Sequence, residues 1–431
     1  MSTSPRALAL ELLLRCEAAG QYANIALDTA LERAGAPTGP DRALCTALFY
    51  GVIEHRVTLD HVIDSRASLP PSAIEARVRM ILRMALCQLL YFDRIPDHAA
   101  INEAVSMAGR RSKGFVNAVL RGFCRDGKRV EYPDPKVEPA AYLSVRYSLD
   151  AALAAAFLDI YGLARAESVL QAFSQTPPVT VRVNTARLTR EAFLSRYGGK
   201  ATKFAPFGVI LESGANLSAM LEAGDCFVQD EASQIAVQAL DVPEGARVID
   251  LCAAPGSKSF GAALVTGEHG RVFSFDLHQN KLSLIQSGAA RLGLSQIEVA
   301  QGDARAADPE RLGRFPRVIC DVPCSGYGVL AKKPDIRYKP FAAAAGLLPV
   351  QAAILERAAA LVEPDGILLY STCTLLPAEN EGQVKPFLAA HGEFELCPFS
   401  VGGLAGNGML TLTPDEHGTD GFFVAKLHKK V

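Results

Sequence analysis

Between Ala246 and Cys373 the chain repeats one arrangement five times: a short apolar run that ends on an acid or a cysteine, followed by a helical segment. The runs are ARVIDLC, RVFSFDL, IEVAQGD, PRVICDV and GILLYSTC. Runs that are apolar on both faces and separated by helices predict a parallel sheet covered on each side. All strands of such a sheet point the same way. Asp250, Asp276, Asp303, Asp321 and Cys373 therefore arrive at one edge, the edge where ligands bind in wound sheets. The last stretch, MLTLTPDEHGTDGFFVAKLHK, reads instead as two strands joined by a polar turn. The parallel sheet is expected to finish in a hairpin with an antiparallel edge strand.

The remaining chain divides by pattern. With 431 residues it is too long for one core, so two or three domains are expected. The first part carries apolar residues three and four apart, as in RALALELLLRCEAA and EARVRMILRMALCQLLYF, and predicts an all-α domain over 1–132. EYPDPKVEP, with three prolines in nine residues, reads as a linker. Helical segments, VTVRVN and FGVILES predict a small α+β module over 140–222. An α/β wound domain follows over 223–431. No apolar run approaches the length of a membrane span, and MSTSPRALAL lacks the build of a signal peptide. The ten cysteines form no C-x-x-C pair and have no histidines at zinc spacing. Reduced thiols in a cytoplasm, no membrane, no metal and a monomer are the expectations.

The loop after the first wound strand is DLCAAPGSKS. It is neither a Walker A loop nor a G-x-G-x-x-G fingerprint, which disfavours a triphosphate or pyrophosphate cradle. Asp276 ends the next strand, where a carboxylate can accept both hydroxyls of a ribose. Asp303 ends the third, a position suited to an adenine amine. One such acid alone reads as a helix N-cap. Acids at successive strand ends, without a phosphate loop, point to a cofactor that has adenosine and no phosphates: S-adenosylmethionine.

Cys324 lies in a Pro/Gly turn of VICDVPCSGYGVL, and Cys373 ends the fifth strand on the same edge. A single cysteine is ordinarily a buried spectator. Two at strand ends beside a methyl donor point to chemistry that needs a soft nucleophile. Carbon-5 of a pyrimidine takes a methyl group only after a thiolate adds to carbon-6 and makes the ring enamine-like. A thiol of pKa near ~8.5 needs positive charge or a helix dipole close by, and Lys258 is a candidate. A second thiolate can then remove the carbon-5 proton so that the first sulfur leaves.

At these residues the chain resembles a family. DLCAAPGSK, DVPCSGYG, YSTCTLLPAENE and DGFFVAKL are similar to the motifs of the RNA cytosine-5 methyltransferases of the Sun (nucleolar-protein-related) family, and VQDEASQ and VRVN join them. DRALCTALFYGVIEHRVTLD, QLLYFDRIPDHAAINEAV and GFVNAVLRG resemble the NusB-like RNA-binding domain fused to one bacterial branch, which modifies a single cytosine of 16S rRNA. The resemblance covers nearly the whole chain. It implies a Rossmann-like methyltransferase domain that binds S-adenosylmethionine through Cys252, Ala253, Ala254, Pro255, Gly256, Ser257 and Lys258 and through Asp276, Asp303 and Asp321. It also implies Cys373 as nucleophile and Cys324 as the group for proton removal and product release, with Asp321 holding the cytosine edge. DNA cytosine methyltransferases use their Pro-Cys thiol as nucleophile, so the reverse assignment is the internal rival.

The chain departs from the family pattern at three places. Gly256-Ser257-Lys258-Ser259 stands for Gly-Gly-Lys-Thr, Gly326-Tyr327-Gly328 for Gly-Thr-Gly, and Lys333 for a histidine. No reactive side chain is lost.

The net charge of −2 conceals an uneven distribution. Residues 1–130 hold 17 Lys/Arg against 13 Asp/Glu, and Arg110 to Arg129 contain seven basic residues and one acidic one. Such a run alone reads as a solvated helix face; with the NusB resemblance it reads as a phosphate-binding surface. Arg110, Arg111, Lys113, Arg121 and Arg125 are the candidates for contact with 16S rRNA or an early assembly intermediate. Alternatives of other classes are the same chemistry on tRNA or 23S rRNA, a noncatalytic NusB-like RNA-binding protein, and an NAD dehydrogenase. The missing glycine fingerprint and the paired thiols count against the last.

Overall fold

The computed structural model describes residues 4–19, 23–32 and 36–431, and the chain separates into two compact units. The first comprises Met1–Ser174 and Lys333–Phe341 and is helical. Its centre is the helix Ala76–Tyr91, buried on nearly every face through Val78, Ile81, Leu82, Ala85, Leu86 and Leu89. One charge is sunk into that helix. Arg83 donates to Asp60 from two nitrogens, both at 2.8 Å, and to Glu17 at 2.9 Å, the pairing that a buried guanidinium needs.

Helices Pro139–Tyr147 and Ala151–Phe173 lie in the helical unit, and the boundary between the two units falls near Ser174. The helix Lys113–Arg125 ends before the prolines, and the segment that follows is held to the helical unit. His61 holds the carbonyl of Glu131 at 2.7 Å, and Arg66 donates to the carbonyl of Arg129. Thr58 Oγ1 donates to the carbonyl of Val145, and Ser148 Oγ accepts from Val57 N. The segment 333–341 also packs here. The buried Arg337 donates to the carbonyls of Tyr147 and Phe173, and the Tyr338 hydroxyl lies 2.7 Å from Ser148 Oγ.

The second unit, Gln175–Lys332 with Ala342–Val431, holds the sheets. A small antiparallel sheet consists of β1 (Thr180–Val183), β2 (Lys200–Ala201), β3 (Gly208–Ile210) and β4 (Cys226–Val228), in the order β2-β3-β1-β4. The main sheet contains β5 (Arg247–Asp250), β6 (Arg271–Asp276), β7 (Ile297–Gln301), β8 (Phe315–Asp321), β9 (Val362–Thr372) and β10 (Phe394–Leu396). A two-stranded ribbon, β11 (Phe399–Val401) and β12 (Leu404–Gly406), precedes the last two strands of the main sheet, β13 (Met409–Leu412) and β14 (Phe422–Lys429).

The order is β10-β14-β9-β8-β5-β6-β7, with β13 also on β14. Strands β5 to β9 run parallel, and β14 returns antiparallel to β9. The expected C-terminal hairpin is β13–β14, but β14 lies inside the sheet and not at its edge.

Alternation sends neighbouring residues to separate cores, as a period of two requires. Val248, Leu369 and Val424 face helices Glu231–Ala239, Ser257–Thr266 and Gln279–Leu292. Ile249, Leu368 and Phe423 face helices Leu348–Ala360 and Glu381–Ala390. After β5 the chain goes to β6 and β7 on one side, and β8 and β9 lie on the other. The switch point between β5 and β8 opens at the carboxyl ends of the strands. Among the described residues no single helix is long and apolar enough to cross a membrane.

Candidate active site

A cavity of ≈ 360 Å³ opens at that switch point. Cys252, Ala254, Asp276, Asp303, Asp321, Cys324 and Cys373 all line it. Ala253, Pro255, Gly256, Ser257 and Lys258 lie behind it and shape the β5 loop. Ala253 N donates to the carbonyl of Phe275, and Gly256 N to that of Ala253. Gly256 has φ of 115°, and a Cβ there would run into the Phe260 ring, so both backbone and space demand glycine. The Ser257 carbonyl accepts from Gln229.

The acids are held in different ways. Asp276 accepts from Ala254 N at 3.2 Å and from His278 N at 2.9 Å. A carboxylate has about four acceptor sites, so capacity remains toward the cavity. Asp303 departs from the simple expectation, because its oxygens are taken by the guanidinium of Arg305, at 2.7 Å from Nη2. That hydrogen bond lowers the Asp303 pKa, and a ligand amine would have to displace Arg305.

Asp250 is fully buried and accepts from Ser259 Oγ at 2.7 Å. Burial pushes its pKa up to about 7, against the pull of Ser259. Burial also pushes the Cys252 thiol well up, which keeps it protonated.

Asp321 is clamped from two sides. Lys258 Nζ donates to Oδ2 at 2.7 Å, and Ser371 Oγ donates to Oδ1 at 2.6 Å. Lys258 also donates to Ser233 Oγ at 3.1 Å. Burial works against its ammonium, yet the charge and hydrogen bond of Asp321, together with Asp250, hold the Lys258 pKa above its usual value. Ser371 and Ser233 are not among the expected site residues. Ser371 is the β9 register partner of Asp321, a pairing that follows once β8 and β9 are known to be neighbours.

The two sulfurs lie 3.3 Å apart, close enough to share a proton and without a disulfide. Cys373 N also donates to Cys324 Sγ at 3.3 Å. The hydrogen bond with Cys373, then burial and the nearby negative charge, push the Cys324 thiol well above its ordinary range. Two sulfurs at this spacing can hold one negative charge and not two. Backbone hydrogen bonds bind the loops that carry them. Gly328 N donates to the carbonyl of Cys373 at 2.9 Å, and Gly421 N to that of Gly328 at 2.7 Å. A Cβ on Gly328 would strike the Gly421 carbonyl.

Arg110, Arg111, Lys113, Arg121 and Arg125 are all exposed. Three of the five lie on the helix Lys113–Arg125, which buries Val116, Val119, Leu120 and Phe123 on its other face.

A family model described as 16S rRNA methyltransferase RsmB/F matches residues 237–428, a NusB family model matches 3–125, and a ferredoxin-like domain of RsmF/B-like methyltransferases matches 152–218. The chain is 34% identical over 448 residues to the probable ribosomal RNA small subunit methyltransferase B of Bacillus subtilis, with 99% of each chain covered. The crystal structure of PH0851 superposes with a TM-score of 0.78 at 26% identity over 100% of both chains. That of NSun6 from Pyrococcus horikoshii with SFG, an S-adenosylmethionine analogue, gives a TM-score of 0.55 at 20% identity. It covers 63% of this chain and 96% of that one, and it agrees in fold.

Proposed function

Because the chain belongs to the RsmB/F family of 16S rRNA methyltransferases, we propose that it methylates carbon-5 of a cytosine in 16S rRNA through a transient bond between Cys373 and carbon-6. Its methyl donor is S-adenosylmethionine. The observation that carries the reading is the pair of sulfurs 3.3 Å apart in a cavity that Asp321 also lines, with Lys258 paired to Asp321 from behind.

The residues fit the cofactor. A cavity of ≈ 360 Å³ is in the range of small-molecule sites, and Asp276 offers unused acceptor capacity to a ribose. When bound along Asp276 and the β5 loop, the cofactor would supply a methyl carbon made electrophilic by its sulfonium, with a neutral thioether as the leaving group.

The chain's own residues do the rest. The target cytosine must leave its stack to enter the pocket. Asp321, paired with Lys258 and aimed by Ser371, presents an acceptor to the cytosine amine. The Cys373 sulfur forms a bond to carbon-6, and the displaced π electrons make carbon-5 nucleophilic toward the methyl. While Cys373 is anionic, Cys324 stays protonated. Once that sulfur is bonded to carbon, its charge is gone and Cys324 can release its proton to solvent. The Cys324 thiolate then takes the carbon-5 proton. The freed pair restores the ring double bond and breaks the carbon–sulfur bond, and Cys373 departs as thiolate.

The test is incubation of the full chain with 16S rRNA and methyl-labelled S-adenosylmethionine. Label on cytosine carbon-5 is expected. Binding without transfer, or label on a ring nitrogen, would overturn the reading.

On the same premise the basic set 110–125 binds phosphates of the rRNA, and the protein acts as a cytoplasmic monomer. Replacing Arg110, Arg111, Lys113, Arg121 and Arg125 by Ala together should weaken RNA binding and leave cofactor binding unchanged. The slope of log K against log salt should become shallower by roughly 0.7–0.9 for each phosphate that the variant no longer neutralises. An unchanged slope would make the helix face merely solvated.

A further inference from the structure

Glu379 is 1% exposed. It closes the turn Pro377–Glu379, and no salt bridge joins it among the described residues. A buried carboxylate without a cation is an expensive way to stabilise a fold, since a neutral side chain of the same size avoids the desolvation cost. Hydrogen-bond donors surround this one instead. Its Oε2 accepts from Ser325 N at 2.9 Å and from Gln351 Nε2 at 2.8 Å. Its Oε1 accepts from Ser325 Oγ at 2.5 Å.

The Ser325 hydroxyl has one proton and gives it to Glu379. The hydrogen bond of 2.8 Å between Ser325 Oγ and Thr374 Oγ1 is therefore donated by Thr374. Ser325 follows Cys324, and Thr374 follows Cys373. The positions before the two cysteines are held by the same assembly. Gln351 Nε2 donates to the carbonyl of Pro323 at 3.0 Å. Asn380, next to Glu379, accepts from Thr372 Oγ1 at 2.5 Å and donates to the carbonyl of Thr374 at 3.0 Å. Both neighbours of both thiols are thus bound to one buried polar cluster, which spans two strand-end loops 49 residues apart in sequence.

We propose that Glu379 is a positioning residue: through Ser325 and Thr374 it sets the separation of the Cys324 and Cys373 sulfurs, and thereby the rate at which the RNA adduct is released. This rests on the two-thiol reading above. Release is the step most sensitive to that separation, because Cys324 must reach the carbon-5 proton while Cys373 is tethered to carbon-6. Cofactor and RNA binding use other groups.

Glu379→Gln keeps the volume but turns one acceptor into a donor that faces Ser325 or Gln351. A displacement near ~1 Å costs up to about a hundredfold in rate. With the full chain, 16S rRNA and labelled S-adenosylmethionine, E379Q should lose roughly ten- to a hundredfold in kcat, with KM for both substrates nearly unchanged. It should also accumulate protein–RNA conjugate on a denaturing gel during turnover. Adding Ser325→Ala to it should cost less than Ser325→Ala costs alone, since both act through one bond network.

Wild-type turnover per folded molecule, or a fall in kcat with no rise in conjugate, would overturn the proposal. If E379Q fails to fold, Ser325→Ala carries the same readouts, because it removes only the hydroxyl between Glu379 and Thr374. Cys373→Ala separates the two claims. If that variant still transfers methyl, the two-thiol reading falls and this inference with it. If it is inactive and E379Q behaves as wild type, only the inference falls.

Discussion

Cys324→Ala is expected to leave the protein attached to its RNA as a denaturant-resistant conjugate, whereas Cys373→Ala yields neither conjugate nor methylated product. The sulfurs are 3.3 Å apart, so position alone does not distinguish nucleophile from base. The proposed roles take Cys373 as the sulfur that attacks, and the Cys324 thiol, pushed up by its hydrogen bond with Cys373 and by burial, agrees with that assignment. Without Cys373 no carbon–sulfur bond forms, and turnover should fall by roughly a thousandfold or more, the scale on which removal of a nucleophile is felt. Without Cys324 the bond forms and the methyl transfers, but nothing takes the carbon-5 proton, so the adduct persists. A denaturing gel of each variant with labelled RNA reads both outcomes. Conjugate with Cys373→Ala and none with Cys324→Ala would exchange the two roles.

The second large effect concerns stability and pH. Burial raises the Asp250 pKa from 3.8 to about 7 in the folded protein. The folded state therefore binds more protons than the unfolded state across that window. The Asp250 contribution to stability is fully present below pH 3.8 and is lost as pH rises through 7. Asp250→Asn cannot ionise and can still accept from Ser259. Relative to wild type it should be more stable by about 1–2 kcal/mol near pH 5 and by roughly 4 kcal/mol at pH 8 and above. Urea unfolding of both apoproteins at several pH values measures the difference. A gap that does not widen between pH 5 and 8 would mean that Asp250 ionises in the folded protein as readily as in the unfolded chain, as it would if solvent reached it. The comparison between variant and wild type is needed because Asp420 is also raised to about 7, by burial and by Asp230 against the pull of Lys332. Wild-type stability thus declines over the same pH range for two reasons.

Much of the site can be read along the chain because it sits at strand ends. β5, β6 and β8 finish on Asp250, Asp276 and Asp321, β7 stops just before Asp303, and β9 just before Cys373. A parallel arrangement carries all five to one edge whatever the lateral order of the strands. The cysteine motifs point to the sulfur pair, although only the fold sets its spacing.

Other features are hidden for identifiable reasons. Arg305 lies two residues after Asp303 and covers its carboxylate, and no periodicity reports a side-chain rotamer. Glu379 and Asn380 are buried, which the charged run PAENE does not report by itself. The proline-rich stretch 131–139 reads as a boundary. Hydrogen bonds from His61 and Arg66 instead bind its start to the helical unit.

By itself the sequence determined what is local: the 3.6 and 2.0 periods, the residue at the end of each strand, the glycine at Gly256 and the two thiols in tight turns. Only the tertiary structure decided which strands are neighbours and in what register. The partnership of Asp321 with Ser371, the 3.3 Å sulfur gap and the cation-free burial of Glu379 all depend on that decision. The reason is physical. Lateral order and register minimise the free energy of two cores packed against both faces of one sheet, a sum over interactions far apart in the chain that no short window of residues contains.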